Sequence, residues 1–186
     1  MANTDKTAIF IAEGFEEIEA LTVVDILRRA GIEISMVSIT DSLQVCGSHK
    51  IQVTVDKTFD EVNFDDIDMI ILPGGMPGTT NLDAYKPLKD KIQEFYDNGR
   101  FISAICAAPG VFGRMGLLEG RDACAYPGCE DQLLGANVVK TETAVSNHVL
   151  TSRGMGTAIP FALKIVERFQ GTEAADKMAA SIVYRQ

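Results

Sequence analysis

A single thiol stands at the end of an apolar run in the segment FISAICAAPG, residues 101–110. Cys106 follows five residues with the pattern of a buried strand and precedes Ala, Ala, Pro and Gly, whose small side chains permit a sharp reversal of the chain. This is the pattern of a nucleophile elbow with Cys in place of Ser. A thiol placed there would lie at the N-terminus of the next helix, where free N–H groups and the helix dipole favour the thiolate. The alternative is an inert core cysteine, as most lone cysteines in apolar runs are.

Two other segments could supply the remaining groups of a catalytic site. DMIILPGG ends in Gly74 and Gly75, and glycines let backbone N–H groups approach a ligand as an oxyanion site requires, although a plain turn has the same composition. AEGFEEIEA places Glu16, Glu17 and Glu19 in the first turns of a helix, where acids are commonly solvated. A Glu that faces inward would instead be desolvated, protonated for part of the time, and able to exchange a proton with a nearby thiolate.

The elements that must position these groups alternate between strands and helices. Short β-rich apolar runs predict strands over 7–12, 32–40, 68–75 and 101–105. Helices are predicted over 15–31, 85–99 and from 155 to about 184, and a hairpin over 43–56. This alternation predicts an α/β fold with a mostly parallel sheet and helices on both faces. Such folds bind ligands beyond the carboxyl ends of their strands, so we expect the site where the first, third and fourth strands end.

The composition is that of a soluble globular protein, and the length predicts one domain over 1–186. Hydrophobic residues make up 46% of the chain and charged residues 23%. The net charge of -9 argues against nucleic acid as an obligatory partner, because phosphate binding needs clustered Lys and Arg. The first residues lack the pattern of a secretory signal, and no apolar stretch approaches the roughly 18 residues of a membrane helix. We therefore expect a cytoplasmic protein without a membrane partner.

Four cysteines occur in the chain: Cys46, Cys106, Cys124 and Cys129. Their number would allow two disulfides, but free thiols are the better interpretation for an unsecreted chain of this size. The last two do not follow a C-x-x-C pattern, so no zinc or other metal site is expected. The segment PGGMPG is neither a Walker pattern nor a dinucleotide fingerprint, so no cofactor is expected either.

Four segments, in order along the chain, resemble the ThiJ/PfpI superfamily: AEGFEEIEA, DMIILPGG, ISAICAAPG and LTSRGMGTAIPFALKIVE. Within it, the chain is similar to the branch of the Parkinsonism-associated protein deglycase and its bacterial ThiJ-like relatives. The resemblance extends from about residue 7 to the end of the chain. It implies a flavodoxin-like sandwich and a homodimer that uses the first helix and the hairpin near Cys46.

The resemblance also implies roles for particular residues. Cys106 becomes the nucleophile, and Glu19 becomes the buried carboxyl that forms a hydrogen bond with the sulfur. Gly75 and the backbone N–H of Ala107 become the oxyanion donors, with Gly74 beside them in the pocket.

The chain departs from the pattern of the superfamily at two places. Tyr126 stands where many relatives place a His before a Pro, so a Cys–His dyad is not available at that position. His49 falls near an Arg of the branch, with the local spacing changed by one residue.

The other histidine, His148, lies in a polar turn and is expected at the surface. Arg29 ends the first helix, where cations suit the dipole, and the resemblance also permits it to line the pocket. Thr157 is expected near a helix N-cap in a scaffold role.

Three functions compete for these residues. The first is a cysteine-dependent enzyme for reactive carbonyls, which converts methylglyoxal to lactate without glutathione or removes early glycation adducts from a glycated substrate, as the resemblance implies. The second is a redox sensor or protective protein of oxidative stress, in which Cys106 is oxidised to a sulfinate beside Glu19. The third, a cysteine peptidase or amidase, is disfavoured because Tyr126 leaves no evident base to protonate a leaving amine.

Overall fold

The computed structural model describes residues 6–185, and a seven-stranded sheet forms its centre. Eleven strands are defined among these residues: β1 (Lys6–Ile11), β2 (Glu33–Ser38), β3 (Gln44–Cys46), β4 (Gln52–Thr54), β5 (Lys57–Thr58), β6 (Met69–Leu72), β7 (Phe101–Ile105), β8 (Asp122–Ala123), β9 (Asn137–Val138), β10 (Thr143–Ser146) and β11 (Val149–Ser152). The order in the central sheet is β10-β11-β7-β6-β1-β2-β5. Every neighbouring pair is parallel except β10 and β11, which form an antiparallel hairpin at one edge.

Helices cover both faces of this sheet. Six are defined in the described part of the chain: α1 (Glu17–Arg29), α2 (Gly78–Ala84), α3 (Lys86–Asp97), α4 (Pro109–Arg114), α5 (Ala158–Gln170) and α6 (Thr172–Ser181). The first strand contributes side chains to both hydrophobic cores. Ile9 and Ile11 pack against α1 and α5 on one face of the sheet. Ala8 and Phe10 pack against α3 and α4 on the other face. Alternate side chains of a strand point to opposite faces, so a strand buried on both faces is apolar throughout. The predicted mostly parallel α/β sandwich is confirmed.

The hairpin of β3 and β4 lies outside the central sheet, against the loop between β1 and α1. The amide of Gly14 donates to the carbonyl of Cys46 at 2.8 Å, and the amide of Ser48 donates to the carbonyl of Phe15 at 2.8 Å. These two bonds hold the hairpin beside the start of α1, where the acidic residues lie.

Some elements differ from prediction. The predicted helix from 155 to 184 is two helices, because Gly171 adopts φ 86° and ends α5. The third predicted strand ends at Leu72, and residues 73–75 belong to the loop that leads to α2. Helix α2 and strand β10 were not predicted; both are short, and GTTNLDA and TAVS carry no apolar repeat long enough to indicate an element.

The carboxyl ends of β1, β6 and β7 lie side by side, as predicted. Residue Ile71 of β6 pairs with Ile9 of β1, and Leu72 of β6 pairs with Ala104 of β7. The three loops that follow these strands therefore meet at one edge of the sheet. Between residues 6 and 185, no helix has the length and apolar character needed to cross a membrane.

Candidate active site

Cys106 occupies a strained turn between β7 and α4. Its φ is 68°, in the left-handed region that residues other than glycine rarely adopt and that costs about 1–3 kcal/mol. Two backbone bonds hold this geometry: the Cys106 amide donates to the carbonyl of Ser152 at 3.0 Å, and the Cys106 carbonyl accepts from Tyr126 at 2.8 Å. The predicted strand-to-turn-to-helix arrangement is confirmed, with the thiol half-buried at its tip.

Glu19 supplies a buried carboxyl group beside the sulfur. Its residue is 1% exposed, and Oε2 accepts a hydrogen bond from the amide of Gly74 at 2.9 Å. The carboxyl also forms a hydrogen bond with the Cys106 side chain and accepts one from the amide of Met155. Burial raises the pKa of Glu19 from 4.5 to about 7, and the Glu16 charge adds to this effect, although the hydrogen bonds oppose it. Near neutral pH, Glu19 can therefore hold a proton or release it.

The loops after β6 and β7 bring backbone amides to the sulfur. The N–H groups of Gly75 and Ala107 form hydrogen bonds with the Cys106 side chain. Gly75 has φ 93°, a conformation that suits glycine. At Gly74 an added Cβ would lie 2.5 Å from the Cβ of Cys106 and 2.6 Å from Oε2 of Glu19, so no larger residue fits there without a shift. The Gly74 amide is already donated to Glu19, so Gly74 positions the acid, and Gly75 and Ala107 are the two amides that face the sulfur.

The protonation of the thiol differs from the sequence-based expectation. We expected the amides and the helix end to favour the thiolate, but the pKa of the Cys106 thiol is raised. Burial is the main cause, followed by the Glu19 charge and the hydrogen bond with Glu19, and these outweigh the amides of Ala107 and Gly75. An ionised Glu19 therefore opposes ionisation of the thiol, and the two groups compete for one proton.

Glu17 attaches the hairpin to the start of α1. Its side chain is 3% exposed, and its oxygens accept from the amide of His49 at 2.8 Å and from that of Ile51 at 3.4 Å. The Nδ1 atom of His49 lies 3.0 Å from the same carboxylate. Burial raises the pKa of Glu17, but the bonds from its own amide, from His49 and from Ile51 outweigh burial and lower it to about 2. Glu17 is therefore an ionised acid that holds the wall of the pocket.

These groups enclose a pocket of about 500 Å³ with the Cys106 thiol at its base. Its lining residues are Glu16, Glu17, Ile18, Glu19, His49, Ile51, Gly75, Cys106, Tyr126 and Met155. A thiol, a carboxyl that exchanges its proton near neutral pH, and two N–H donors can together add a nucleophile to a carbonyl carbon and move a proton.

Comparison with known proteins agrees with this geometry. A sequence profile described as the DJ-1/PfpI family matches residues 5–168. The chain belongs to the DJ-1/PfpI family. The family resemblance inferred from the four segments is therefore confirmed.

Relatives in this family cover nearly all of the chain. Protein DJ-1 homolog B of Arabidopsis thaliana is 34% identical over 186 residues, which covers 99% of this chain and 42% of that protein. The matched share of Protein DJ-1 homolog A of the same plant is 48%, so the chain spans less than half the length of these two relatives. A Caenorhabditis elegans protein named glutathione-independent glyoxalase DJR-1.2 is 31% identical over 168 residues, 89% of each chain.

A solved structure of the family has the same fold. The structure titled "Toxoplasma gondii DJ-1, oxidized" superposes with a TM-score of 0.93 at 37% sequence identity, covering 98% of this chain and 100% of that one. The α/β architecture is thus that of a solved member of the family.

Most of the residues that the family resemblance nominated lie around the thiol, although Gly74 and Ala107 lie beside Cys106 without lining the pocket, and Arg29 lies elsewhere. His49 and Tyr126 both line it, with Tyr126 52% exposed at the rim. Arg29 does not reach it, and the expectation that it lines the pocket is corrected. Arg29 lies ten residues beyond Glu19 on α1, about 15 Å along the helix axis, and its guanidinium pairs with Asp25 at 2.6 Å.

His148 is also remote from the thiol. Its carbonyl accepts from Ile102 near the beginning of β7, whereas Cys106 follows the end of that strand. Its ring packs against Tyr96 with 5.0 Å between centroids, and burial lowers its pKa. The residue is therefore half-buried rather than at the surface as expected.

All four cysteines are free in the structure, as predicted. Cys124 is buried, and its amide donates to the Thr151 hydroxyl at 3.0 Å. Thr157 has the expected scaffold role, because it precedes α5 and its hydroxyl bonds with the Ser152 hydroxyl at 2.8 Å and accepts from the amide of Gly154 at 3.0 Å.

The ligating atoms of Glu16, Glu17 and His49 lie within 4.8 Å of one another, a spacing that a metal ion could bridge. The Glu17 oxygens are already used by the N–H groups of the hairpin, so we assign no ion to this cluster.

Sequence reasoning missed the residues that build the pocket wall. Ile18, Ile51 and Met155 line it although their own apolar side chains carry no chemical signal. The role of Glu17 was missed as well, since three acids in one helical turn do not reveal which is buried. A signal was available in the polar turn of the hairpin, whose free N–H groups need an acceptor.

Proposed function

We propose that this protein is a cysteine-dependent enzyme that acts on small reactive carbonyls, converting methylglyoxal to lactate without glutathione. Removal of early glycation adducts from a glycated substrate would use the same first step. The proposal is supported by the family, by the C. elegans relative named as a glyoxalase, and by the pocket around Cys106.

The reaction begins with addition of the thiol to the aldehyde carbon of methylglyoxal. A bond forms between Sγ and that carbon, the carbonyl π pair moves to oxygen, and the thiol proton reaches that oxygen through Glu19. The amides of Gly75 and Ala107 face the sulfur and would donate to the developing oxyanion. The product of this step is a hemithioacetal.

The second half of the reaction moves hydrogen between neighbouring carbons. Glu19 takes the proton from the former aldehyde carbon, which leaves an enediolate, and returns that proton to the adjacent carbon. The hydroxyl proton on the former aldehyde carbon moves to the neighbouring oxygen. The sulfur then holds a thioester of lactate. Water cleaves the carbon–sulfur bond and restores the Cys106 thiol, so methylglyoxal plus one water gives lactate with no redox partner.

A single observation carries this proposal: a carboxyl with a pKa of about 7 forms a hydrogen bond with a half-buried thiol that also receives two amide N–H bonds. A general acid and base works best with a pKa near the operating pH. A purely structural Glu would have no need of a desolvated position next to a thiol.

The test is methylglyoxal consumption and lactate formation by the purified chain in buffer without glutathione. Cys106→Ala should abolish turnover, and Glu19→Gln should lower kcat by roughly 10²-fold or more, the usual contribution of a positioned acid or base. Cys46→Ala is the matched control, because that thiol lies on the hairpin outside the pocket lining, and it should retain activity. Unchanged consumption in Cys106→Ala would remove the proposal.

A redox role uses the same thiol and is a second candidate. Cys106 is half-buried beside a carboxyl that can donate a hydrogen bond to a sulfinate oxygen. Each of two peroxide molecules would transfer one oxygen to the sulfur and leave as water. Mass spectrometry after mild peroxide should find two added oxygens at Cys106 before any addition at Cys46, Cys124 or Cys129. Earlier oxidation of another cysteine would contradict this role.

We infer that the chain forms a homodimer through α1 and the hairpin. Ile18, Leu21 and Ile51 are 52%, 36% and 54% exposed and line one apolar groove. Burial of such a face in a partner copy is favourable. Sedimentation should give twice the chain mass, and Leu21→Glu should give the monomer.

We further propose that the chain works as a single domain in the cytoplasm, where four free thiols stay reduced.

A further inference from the structure

The pocket above Cys106 is lined by acids with almost no opposing charge. The side chains of Glu16 and Glu17 are 14% and 3% exposed, and Glu19 lies deeper beside the thiol. Among residues 6–185, no Lys or Arg lines this pocket. Arg153 is two residues before the pocket residue Met155 in the chain. Its charge acts to lower the pKa of Cys124 and of Glu130. The molecule as a whole carries a charge of -9, which adds to the local field.

Within the part of the chain that the structure describes, His49 is the one titratable cation that faces these acids. Its Nδ1 atom lies 3.0 Å from Glu17 and 3.5 Å from Glu16. The carboxylates raise the pKa of His49, and the largest cause is the hydrogen bond that its ring N–H donates to Glu17. Even when protonated, His49 offsets only one of the two carboxylates at the mouth. In the single chain its side chain is 70% exposed, so water screens it more than it screens the buried Glu17.

We propose that Glu16, Glu17 and His49 form a charge filter that admits neutral and cation-bearing carbonyl compounds to Cys106 and excludes those carrying a carboxylate or phosphate group. This inference rests on the proposed function for its substrates, and on the pocket geometry for its mechanism. It predicts neutral 2-oxoaldehydes and amine-bearing adducts as substrates, and it predicts that 2-oxo acids and sugar phosphates are poor ones.

The expected discrimination follows from Coulomb's law. One uncompensated negative charge about 8 Å from an anionic reagent, at an effective dielectric constant of about 30, raises the free energy of the reagent by about 1.4 kcal/mol. The rate at which that reagent reacts with Cys106 then falls about tenfold. The effect acts on the encounter with the pocket, so it should fall as salt is added.

A pair of alkylating reagents measures the filter without any need for turnover. Iodoacetamide is neutral and iodoacetate is an anion of nearly the same size; each forms a bond between Sγ and carbon and releases iodide. Peptide mass spectrometry gives the rate of each reagent at Cys106, and the iodoacetamide rate is divided by the iodoacetate rate. Division of this ratio by the same ratio for 2-mercaptoethanol cancels the intrinsic difference in reactivity between the two reagents. We expect this normalised ratio to be about 10 in the wild-type protein at low ionic strength.

Three variants identify the source of the discrimination. Glu16→Gln should lower the normalised ratio to a few-fold, and His49→Gln should raise it, because it removes the one opposing cation. Glu33→Gln makes the same change in total charge at an exposed position on the far end of β2 and should leave the ratio unchanged. A wild-type ratio near 1, or the same ratio in Glu16→Gln as in the wild type, would overturn the filter.

Substrate analogues then extend the test to catalysis. Phenylglyoxals with a para carboxamide, a para carboxylate or a para trimethylammonium group differ mainly in charge. We expect kcat/KM to be about tenfold lower for the carboxylate than for the carboxamide, and this gap should narrow in Glu16→Gln. If no analogue turns over while the alkylation ratio behaves as expected, the proposed function fails and the filter stands. If all three turn over equally and the alkylation ratio is near 1, the filter fails and the function stands.

Discussion

The substitution Glu19→Gln tests the electrostatic account of the site through stability. In the folded protein, Glu19 is 1% exposed, and its pKa is raised from 4.5 to about 7, mainly by burial. Gln keeps the shape and an oxygen that can accept from the Gly74 amide, and it carries no charge. The variant therefore removes the penalty of a buried carboxylate while keeping the hydrogen bond.

The magnitude follows from the two pKa values. The difference of 7 - 4.5, or 2.5 pH units, multiplied by about 1.36 kcal/mol per unit, gives about 3 kcal/mol. Between pH 4.5 and 7 the unfolded chain has released this proton and the folded chain still holds it, so the stability of the wild-type protein falls as the pH rises. Below pH 4.5 the penalty is absent, and above pH 7 it is fully present.

The assay is denaturant unfolding of both proteins at several pH values from 4.5 to 8, at one protein concentration. The free energy of unfolding of Glu19→Gln minus that of the wild type should increase by about 3 kcal/mol across this range. For a chain of this size, the corresponding gain in Tm is about 6–12 °C. Glu33→Gln provides the control for a change in total charge, since that side chain is exposed.

Parallel stability curves would refute this reasoning. A constant difference between variant and wild type would mean that Glu19 titrates equally in the folded and unfolded chains. Titrations at Glu17 and His49 are common to both proteins and cancel in the difference. A result of that kind would also remove the reason to assign proton transfer near neutral pH to Glu19.

Three further predictions concern the scaffold of the site. Gly74→Ala should destabilise the protein by about 1–3 kcal/mol and slow methylglyoxal consumption, since its Cβ would lie 2.5 Å from that of Cys106; unchanged melting and activity would contradict the contact. Glu17→Gln should lose stability that the wild type has above pH 4.5 and loses as pH falls towards 2, so acid titration of unfolding should show the two proteins converging; a constant gap would argue against an ionised anchor. Thr157→Val should cost about 1–3 kcal/mol in chemical unfolding, because its hydroxyl bonds with Ser152 at 2.8 Å, and a neutral result would show that water replaces it.

Prediction from sequence succeeded where one residue or one periodic segment contains the signal. The apolar runs and their alternation with helices indicated the sheet, since both faces of strands such as β1 are buried. The elbow at Cys106 was predictable for a similar reason: a strand followed by small residues has few ways to turn. Short elements such as α2 were missed because they lack a repeat.

The protonation of the site could not be predicted in this way. The direction of the Cys106 pKa shift was wrong because the expectation counted only the local helix end and amides. Burial by distant segments and a carboxyl 87 positions earlier in the chain decide the shift. Likewise, Arg29 is close in sequence to Glu19, but ten residues of α1 separate the two along the helix.

By itself, the sequence determined the layered α/β architecture, the thiol at the end of β7, and the presence of acids at the start of α1. These properties depend on local patterning, which each segment contains in full. Only the tertiary structure decided how far Glu19 is desolvated beside the sulfur, that Glu17 anchors the hairpin, and that the described residues form an acidic pocket with a single histidine opposing it. Those properties depend on distances and on exclusion of water between segments remote in sequence, and such quantities exist only when the chain is folded.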